Sequence, residues 1–237
     1  MGRVTYTRDG GVATIAMDDG KVNAMSLGMI AELGEALDRA QADGAAVLLR
    51  GRPGVFCAGF DLATLRGGNP DAARMLIGGF ELAERIFSFP APVVAEVTGH
   101  ALAMGVFLVL AADYRLAAES DSQLGASADP KIGANEVAIG LVMPHFAVEM
   151  CRQRLTPACF QRAVLHAEIF PPAAAREAGF VDQVVPAAEL AERARREVTR
   201  LAALPRPVYA ATKERARALA RAALLRGIEL DRAGAKG

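Results

Sequence analysis

The sequence contains no tryptophan, three cysteines and three histidines among its 237 residues. So few cysteine and histidine side chains, at irregular spacings, fit neither a disulfide framework nor a zinc site. We therefore expect no bound metal and a reducing compartment, which places the protein in the cytoplasm.

The sequence also lacks a net charge, because 27 basic residues balance 27 acidic ones. That balance gives no overall field that would attract nucleic acid or an anionic membrane. The longest apolar stretch, Val93–Ala112, contains Glu96 and His100, and the first ten residues lack an apolar signal core. The sequence therefore predicts a soluble protein whose partners are neither nucleic acids nor membranes.

Apolar residues, in contrast, make up 52% of the chain and can form a substantial core. Strand-like and helical stretches alternate from a hairpin, Val4–Thr7 with Val12–Met17, to a last strand at Phe180–Val185. Beyond that strand the composition changes to Ala, Arg and Glu. We predict an α/β core over residues 1–186 and a C-terminal helical region over residues 187–237.

The stretch Val93–Ala112 has the pattern of a Val-rich buried strand that turns at Thr98–Gly99 and continues into a buried helix. The first N–H groups of a helix have no partner inside it, so they point at whatever lies beyond its N-terminus. The stretch is a candidate site for stabilising an oxyanion. A core strand and helix without chemistry would have the same pattern.

Five motifs together resemble the crotonase superfamily, which contains the enoyl-CoA hydratases and isomerases. They are Phe56–Leu62, Pro92–Ala95, Gly99–Leu102, Asp113–Arg115 and Glu136–Gly140. The resemblance implies a crotonase-type spiral of ββα units with a C-terminal helical region, usually in trimers or dimers of trimers. It also implies an acyl-CoA thioester as the substrate, so that coenzyme A enters as part of the substrate and no separate cofactor is needed.

The resemblance further implies that two backbone N–H groups hold the thioester oxygen while negative charge accumulates on it. Carried over by position, these donors are the amides of Ala58 and Met104, and one such donor contributes about 3 kcal/mol to a transition state. Since relatives usually have Gly in place of Met104, we expect its side chain to narrow the site. The segments expected to flank coenzyme A consist of Asn23, Ala24, Met25 and Ser26, and of Ala58, Gly59, Phe60 and Asp61.

Two acidic positions in the superfamily decide which reaction occurs. Hydratases resemble one another in having a Glu three residues after the second amide donor and another Glu in a later apolar segment. Here the first position is Phe107, which cannot transfer a proton, and the second is Glu136. One carboxylate is enough to move a double bond from the 3 to the 2 position, because the same base can take a proton from C2 and return it to C4.

The sequence is also similar to the mitochondrial-type Δ3,Δ2-enoyl-CoA isomerases, notably in Gly133–Gly140 and Gly179–Pro186. In that resemblance Glu136 is the catalytic base, and an apolar site would raise its pKa toward neutrality. Three alternatives stay open: a buried Glu136 paired with an arginine such as Arg115, a hydratase that uses one acid, and an acyl-CoA-binding protein without catalysis.

Several other polar residues carry weaker predictions. His145 is expected at the surface or in the core rather than in the acyl pocket, and Asp113 is expected to orient Arg115 or the backbone. Three of the basic side chains in the C-terminal helical region either contact coenzyme A phosphates or form a solvated face. They are Lys213, Arg215 and Arg217.

Overall fold

The computed structural model describes residues 2–68, 70–120 and 129–234. Its strands are β1 (Val4–Asp9), β2 (Val12–Met17), β3 (Ala46–Arg50), β4 (Gly54–Cys57), β5 (Val93–Val97), β6 (Gly99–Leu102), β7 (Tyr114–Ala118), β8 (Ile132–Gly133) and β9 (Gln183–Val185). Its α-helices are α1 (Leu27–Ala42), α2 (Leu62–Arg66), α3 (Pro70–Ser88), α4 (Met104–Ala111), α5 (His145–Arg154), α6 (Pro157–Val164), α7 (Pro172–Ala178), α8 (Leu190–Ala202) and α9 (Arg206–Gly234).

The strands form two sheets. The larger has the order β1-β2-β3-β5-β7-β9, and the smaller has the order β4-β6-β8. Apart from the β1–β2 hairpin, all pairings are parallel, and helices supply the crossovers that parallel neighbours need. Strands that follow each other in the chain alternate between the sheets: β3, β5 and β7 belong to the larger sheet, and β4, β6 and β8 to the smaller. This alternation is the predicted spiral of ββα units, and the predicted α/β class is confirmed.

Helices cover both faces of the larger sheet because its strands alternate two sets of apolar side chains. In β3, Val47 and Leu49 belong to the main core, whereas Ala46 and Leu48 face a second cluster. Helix α8 closes that second cluster, and α9 packs against α3 and α5. The C-terminal helices therefore lie against the α/β core, and none of the described helices is long and apolar enough to cross a membrane.

The central stretch Val93–Ala112 differs from its prediction. It contains two strands, because Gly99–Leu102 forms β6 between the turn and helix α4. Strand β6 exists because it pairs with β4 and β8, which come from distant parts of the chain. A four-residue strand of this kind has no periodicity of its own to predict it. The polar segment 119–130 between β7 and β8 falls mostly outside the described residues.

Asp113, between α4 and β7, anchors the backbone of β5 and the last helix. One carboxylate oxygen accepts a hydrogen bond from the N–H of Val93 at 2.7 Å and from Lys213 Nζ at 2.8 Å. The other oxygen is 3.0 Å from the Arg217 guanidinium. Of the two roles predicted for Asp113, the structure shows the orientation of the backbone and not a pairing with Arg115.

The three basic residues of α9 for which a role was predicted, Lys213, Arg215 and Arg217, are not equivalent. Lys213 is buried, and the side chain of Arg217 is only 13% exposed, since both pair with Asp113. Arg215 is exposed and is the only one of the three that fits the predicted solvated face. The side chains of Lys213 and Arg217 are therefore committed to holding α9 against the core.

We predict that Asp113→Ala destabilises the protein by about 3–5 kcal/mol, because it leaves Lys213 and Arg217 buried without a carboxylate. Urea unfolding measures the free energy change. Glu149→Ala, which removes a surface pair with Arg152, is the matched control and should change stability by no more than about 1 kcal/mol. Equal, small effects of the two substitutions would contradict this assignment.

Candidate active site

A cavity of about 190 Å³ gathers several of the predicted site residues, including Ala58, Phe60, Phe107 and Glu136. Its walls are the β4–α2 loop and α2, one side of α3, the start of α4 and the segment 135–144. Except for Asn135 and Glu136, the lining side chains are apolar. The cavity is thus suited to an uncharged chain that meets a single carboxyl group.

Glu136 lies just after β8, before the 3₁₀ turn Val137–Ile139. It is 6% exposed, and its Oε2 has no hydrogen-bond partner among the described residues. Burial disfavours the charged form and raises the pKa of Glu136 to about 7. Its carboxyl group can therefore exchange a proton near neutral pH.

The alternative of a structural Glu136–Arg115 ion pair is wrong. Arg115 binds Asp182 instead, with Nε and Nη2 donating to the two carboxylate oxygens at 2.9 and 2.6 Å. Its Nη1 donates to the carbonyls of Gly179 and Phe180. The donors of Arg115 are thus used to fix the chain before β9, and Glu136 is left free to act in the cavity.

Phe107 occupies the wall that α4 contributes to the cavity, and it is 1% exposed. Within the described part of the chain, Glu136 is the only titratable side chain that lines the cavity. The Met104 side chain is fully buried but does not line the cavity, because its sulfur lies beside Gly79 of α3. The expected narrowing of the site by Met104 is therefore not observed.

The backbone around Gly59 places one free N–H group at the cavity. Met25 donates to the carbonyl of Gly59 at 2.8 Å and accepts from the N–H of Asp61 at 3.3 Å. Because both bonds flank Phe60, the N–H of Phe60 points away from Met25, and it makes no hydrogen bond with the described residues. The N–H of Ala58, in contrast, donates to the carbonyl of Val22 at 3.1 Å. The amide of Ala58, which the sequence predicts as a donor, is thus already paired, whereas the amide of Phe60 is unpaired among the described residues.

A second unpaired N–H belongs to Met104, the first residue of α4, whose amide has no acceptor within the helix and makes no hydrogen bond with the residues that the structure describes. The preceding Ala103 has φ 49° and ψ −125°, an unfavourable conformation for a residue with a Cβ atom. Gly59 has φ 101°, and a Cβ there would lie 2.8 Å from Ala103 Cβ and 3.6 Å from Met104 N. Only glycine permits this contact, which brings the amides of Phe60 and Met104 to neighbouring positions.

The segment expected to flank coenzyme A has mainly structural side chains. Asn23 is fully buried in a left-handed conformation, φ 54°, and its Nδ2 donates to the carbonyls of Met17 and Phe56. Met25 is also buried, while Ser26 caps α1. Ala24 alone is partly exposed without a capping role. Any contact with a ligand here would come from the backbone and Ala24.

Asp61, Cys57 and His145 have structural positions. Asp61, expected to flank coenzyme A, accepts a hydrogen bond from the N–H of Thr64 at 2.7 Å and caps α2. Cys57 is buried, and desolvation raises the pKa of its thiol to about 12, which fits a small core residue. His145 is exposed and does not line the cavity. Among the described residues, no group of three side chains is arranged to hold a metal ion.

Comparison with known proteins adds a family match over most of the chain. Residues 7–235 match the family model described as Enoyl-CoA hydratase/isomerase. The fold superposes on an enoyl-CoA hydratase of Mycobacterium ulcerans with a TM-score of 0.92 at 41% identity, covering 100% of both chains. It also superposes on a Mycobacterium tuberculosis protein with a TM-score of 0.91 at 41% identity, covering 98% of each chain; one structure of that protein names it an enoyl-CoA isomerase and another a probable enoyl-CoA hydratase.

A curated relative is the human mitochondrial enoyl-CoA delta isomerase 1. It is 29% identical over 199 residues, which are 82% of this chain and 64% of the human protein. The chain thus spans just under two thirds of that relative's length. Both isomerases and hydratases are similar to this chain, so the names of its relatives do not choose between the two reactions.

The raised pKa of Glu136 predicts a pH-dependent effect of Glu136→Gln on stability. Below about pH 4.5 the carboxyl group is protonated in both the folded and the unfolded protein, so it adds no pH dependence there. As the pH rises to about 7, the unfolded chain loses the proton while the folded protein retains it, and folding is weakened by up to about 3 kcal/mol.

Glu136→Gln should therefore be more stable than the wild type at pH 8 and should lose this advantage below about pH 4.5. Urea unfolding at both pH values measures the difference, with the exposed Glu35→Gln as control. A Glu136→Gln variant that is less stable than the wild type at pH 8 would show that the carboxylate has a favourable partner.

Proposed function

This chain belongs to the enoyl-CoA hydratase/isomerase family, and on that premise we propose that it is a Δ3,Δ2-enoyl-CoA isomerase. The observation that carries the proposal is the pairing of one titratable carboxyl group, Glu136, with an apolar wall at Phe107 in the same cavity. In this reaction Glu136 removes a proton from C2 of a 3-enoyl-CoA and returns it to C4. The double bond moves to the 2 position, and no atom is gained or lost.

The burial of Glu136 supports its role as the proton shuttle. A base with a pKa near 7 can take a proton from carbon and return it at neutral pH, because neither its ionised nor its protonated form is strongly disfavoured there. No other group that lines the cavity in the described chain can supply or remove a proton. A proton held by Glu136 therefore stays beside the substrate until it reaches C4.

The thioester enolate formed between the two steps needs donors for its oxygen. We assign these to the N–H groups of Phe60 and Met104, which make no hydrogen bond with the described residues and belong to the residues that follow Gly59 and Ala103 at their contact. Fixed backbone donors of this kind contribute about 3 kcal/mol each to a transition state. The strained φ of Ala103 is consistent with a backbone held in place for this purpose.

Hydration of a 2-enoyl-CoA is the second candidate, because a relative with 41% identity is named a hydratase. Hydration requires a water molecule to be oriented and deprotonated and a carbon to be protonated. Phe107 occupies the position from which a second acid would act, so the cavity favours isomerisation. Hydration of crotonyl-CoA at a rate similar to isomerisation would reverse this preference.

The substrate is proposed to be an acyl-CoA thioester, and no other cofactor is needed for the reaction. An assembly of three or six chains and a cytoplasmic location stay predictions. The human relative is named as mitochondrial, and that name refers to the human protein.

We predict that Glu136→Gln lowers kcat for a 3-enoyl-CoA by at least about 100-fold, because the amide cannot accept the proton. In the wild type, kcat/KM should rise with pH through about 7, since the ionised form of Glu136 is the active base. The assay follows the absorbance of the conjugated product. Equal rates for the wild type and Glu136→Gln would exclude Glu136 as the base.

Phe107→Glu tests the apolar wall. A second carboxylate in the cavity should raise the pKa of Glu136 further, because like charges disfavour ionisation. The midpoint of the kcat/KM profile should move to higher pH in Phe107→Glu but not in Phe107→Gln, which has a similar shape without the charge. A profile that is unchanged in a folded Phe107→Glu variant would show that the two side chains do not share the cavity.

A further inference from the structure

Helix α9 lies outside the cavity, but one of its carboxylates holds the start of α5. Asp231 accepts hydrogen bonds from the N–H of His145 at 2.9 Å and from the N–H of Phe146 at 3.0 Å. These amides begin α5 and have no acceptor within it. The residue before them, Pro144, has no side chain that could cap the helix. Asp231 therefore supplies the cap that α5 lacks.

A second residue of α9 lies on the same face as Asp231 and sets how closely the two helices approach. A Cβ atom at Gly227, four residues before Asp231, would lie 2.8 Å from Phe146 N and 2.9 Å from Phe146 Cα. A side chain at this position would push α5 away, because the atoms it meets belong to the backbone. The glycine brings the carboxylate of Asp231 within reach of the two amides.

The start of α5 is one of two fixed ends of the segment that carries Glu136. At the other end, β8 pairs with β6. Between them, residues 135–144 supply the cavity-lining side chains of one wall, and the N–H of Leu141 donates to the carbonyl of Glu136 at 2.9 Å. The position of the base thus depends on β8 pairing at one end and on the α5 cap at the other.

Phe146 extends the same support to the opposite wall. Its ring stacks on Phe80 with centroids 4.8 Å apart, and Phe80 meets Phe60 edge to face at 5.9 Å. Both Phe80 and Phe60 line the cavity, and Phe60 carries one of the free N–H groups. A shift of Phe146 would therefore be passed to the backbone donor as well as to the base.

We propose that Asp231 is a positioning residue of the active site. By capping α5 from the C-terminal helix, it keeps Glu136 and the Phe60 amide in their positions relative to each other. The residue does not line the cavity. The expected effect of Asp231 on kcat rests on the proposed isomerase function. Its expected effect on the stability of the segment 135–144 does not. A displacement of about 1 Å in a catalytic group can lower a rate by about 100-fold.

The test compares Asp231→Ala, Asp231→Glu and two controls in the full-length protein. Val198→Ala removes core volume beneath α8, far from the cavity, and controls for lost stability. Arg232→Ala removes the neighbouring surface pair with Glu81. Three quantities are measured for each variant: kcat, the Kd of a saturated acyl-CoA, and hydrogen exchange of peptides that cover residues 135–146.

For Asp231→Ala we expect kcat to fall by about 10- to 100-fold, the Kd to change by less than about threefold, and amide exchange in 135–146 to rise by about tenfold. Asp231→Glu, which keeps both acceptor oxygens, should restore most of the loss. The two controls should leave kcat within about twofold of the wild type.

Unchanged exchange in 135–146 for Asp231→Ala would overturn the proposal, and so would a fall in kcat matched by Val198→Ala. A wild type without isomerase activity would contradict the proposed function instead. In that case the exchange measurement still decides whether Asp231 positions this segment.

Discussion

The burial of one carboxyl group without a cationic partner among the described residues is the constraint on which the rest of the site depends. An unpaired charge in an apolar cavity is unfavourable, so Glu136 takes up a proton more readily than an exposed glutamate does. The same property that destabilises the fold at high pH makes the group a useful base near neutrality. Arg115, the arginine that the sequence offers as a partner for Glu136, pairs with Asp182 instead.

The remaining parts of the site are made by the backbone rather than by side chains. Within the described part of the chain, the N–H groups of Phe60 and Met104 make no hydrogen bond where the β4–α2 loop contacts the start of α4. That contact requires a glycine at position 59 and a strained alanine at position 103. Donors held in this way need no rearrangement when charge appears on a bound oxygen.

The sequence was sufficient to predict the alternation of strands and helices, because apolar periodicity reports which face of each element is buried. It also identified Glu136 and Phe107, since the resemblance places them by motif. It selected the amide of Ala58, which the structure shows bonded to Val22, because the direction of an N–H group depends on the turn at Gly59 and on the bonds of Met25. Strand β6 and the cap from Asp231 were also missed, since both arise from contacts between segments far apart in the chain.

A deuterium transfer experiment tests the central claim, that one buried carboxyl group carries the proton from C2 to C4. The substrate is a 3-enoyl-CoA with deuterium at both C2 positions, and the 2-enoyl product is analysed by mass spectrometry and NMR. A single shuttle shielded from solvent predicts that a substantial fraction of the product carries deuterium at C4. Complete replacement of that label by solvent hydrogen in a single turnover would contradict the account.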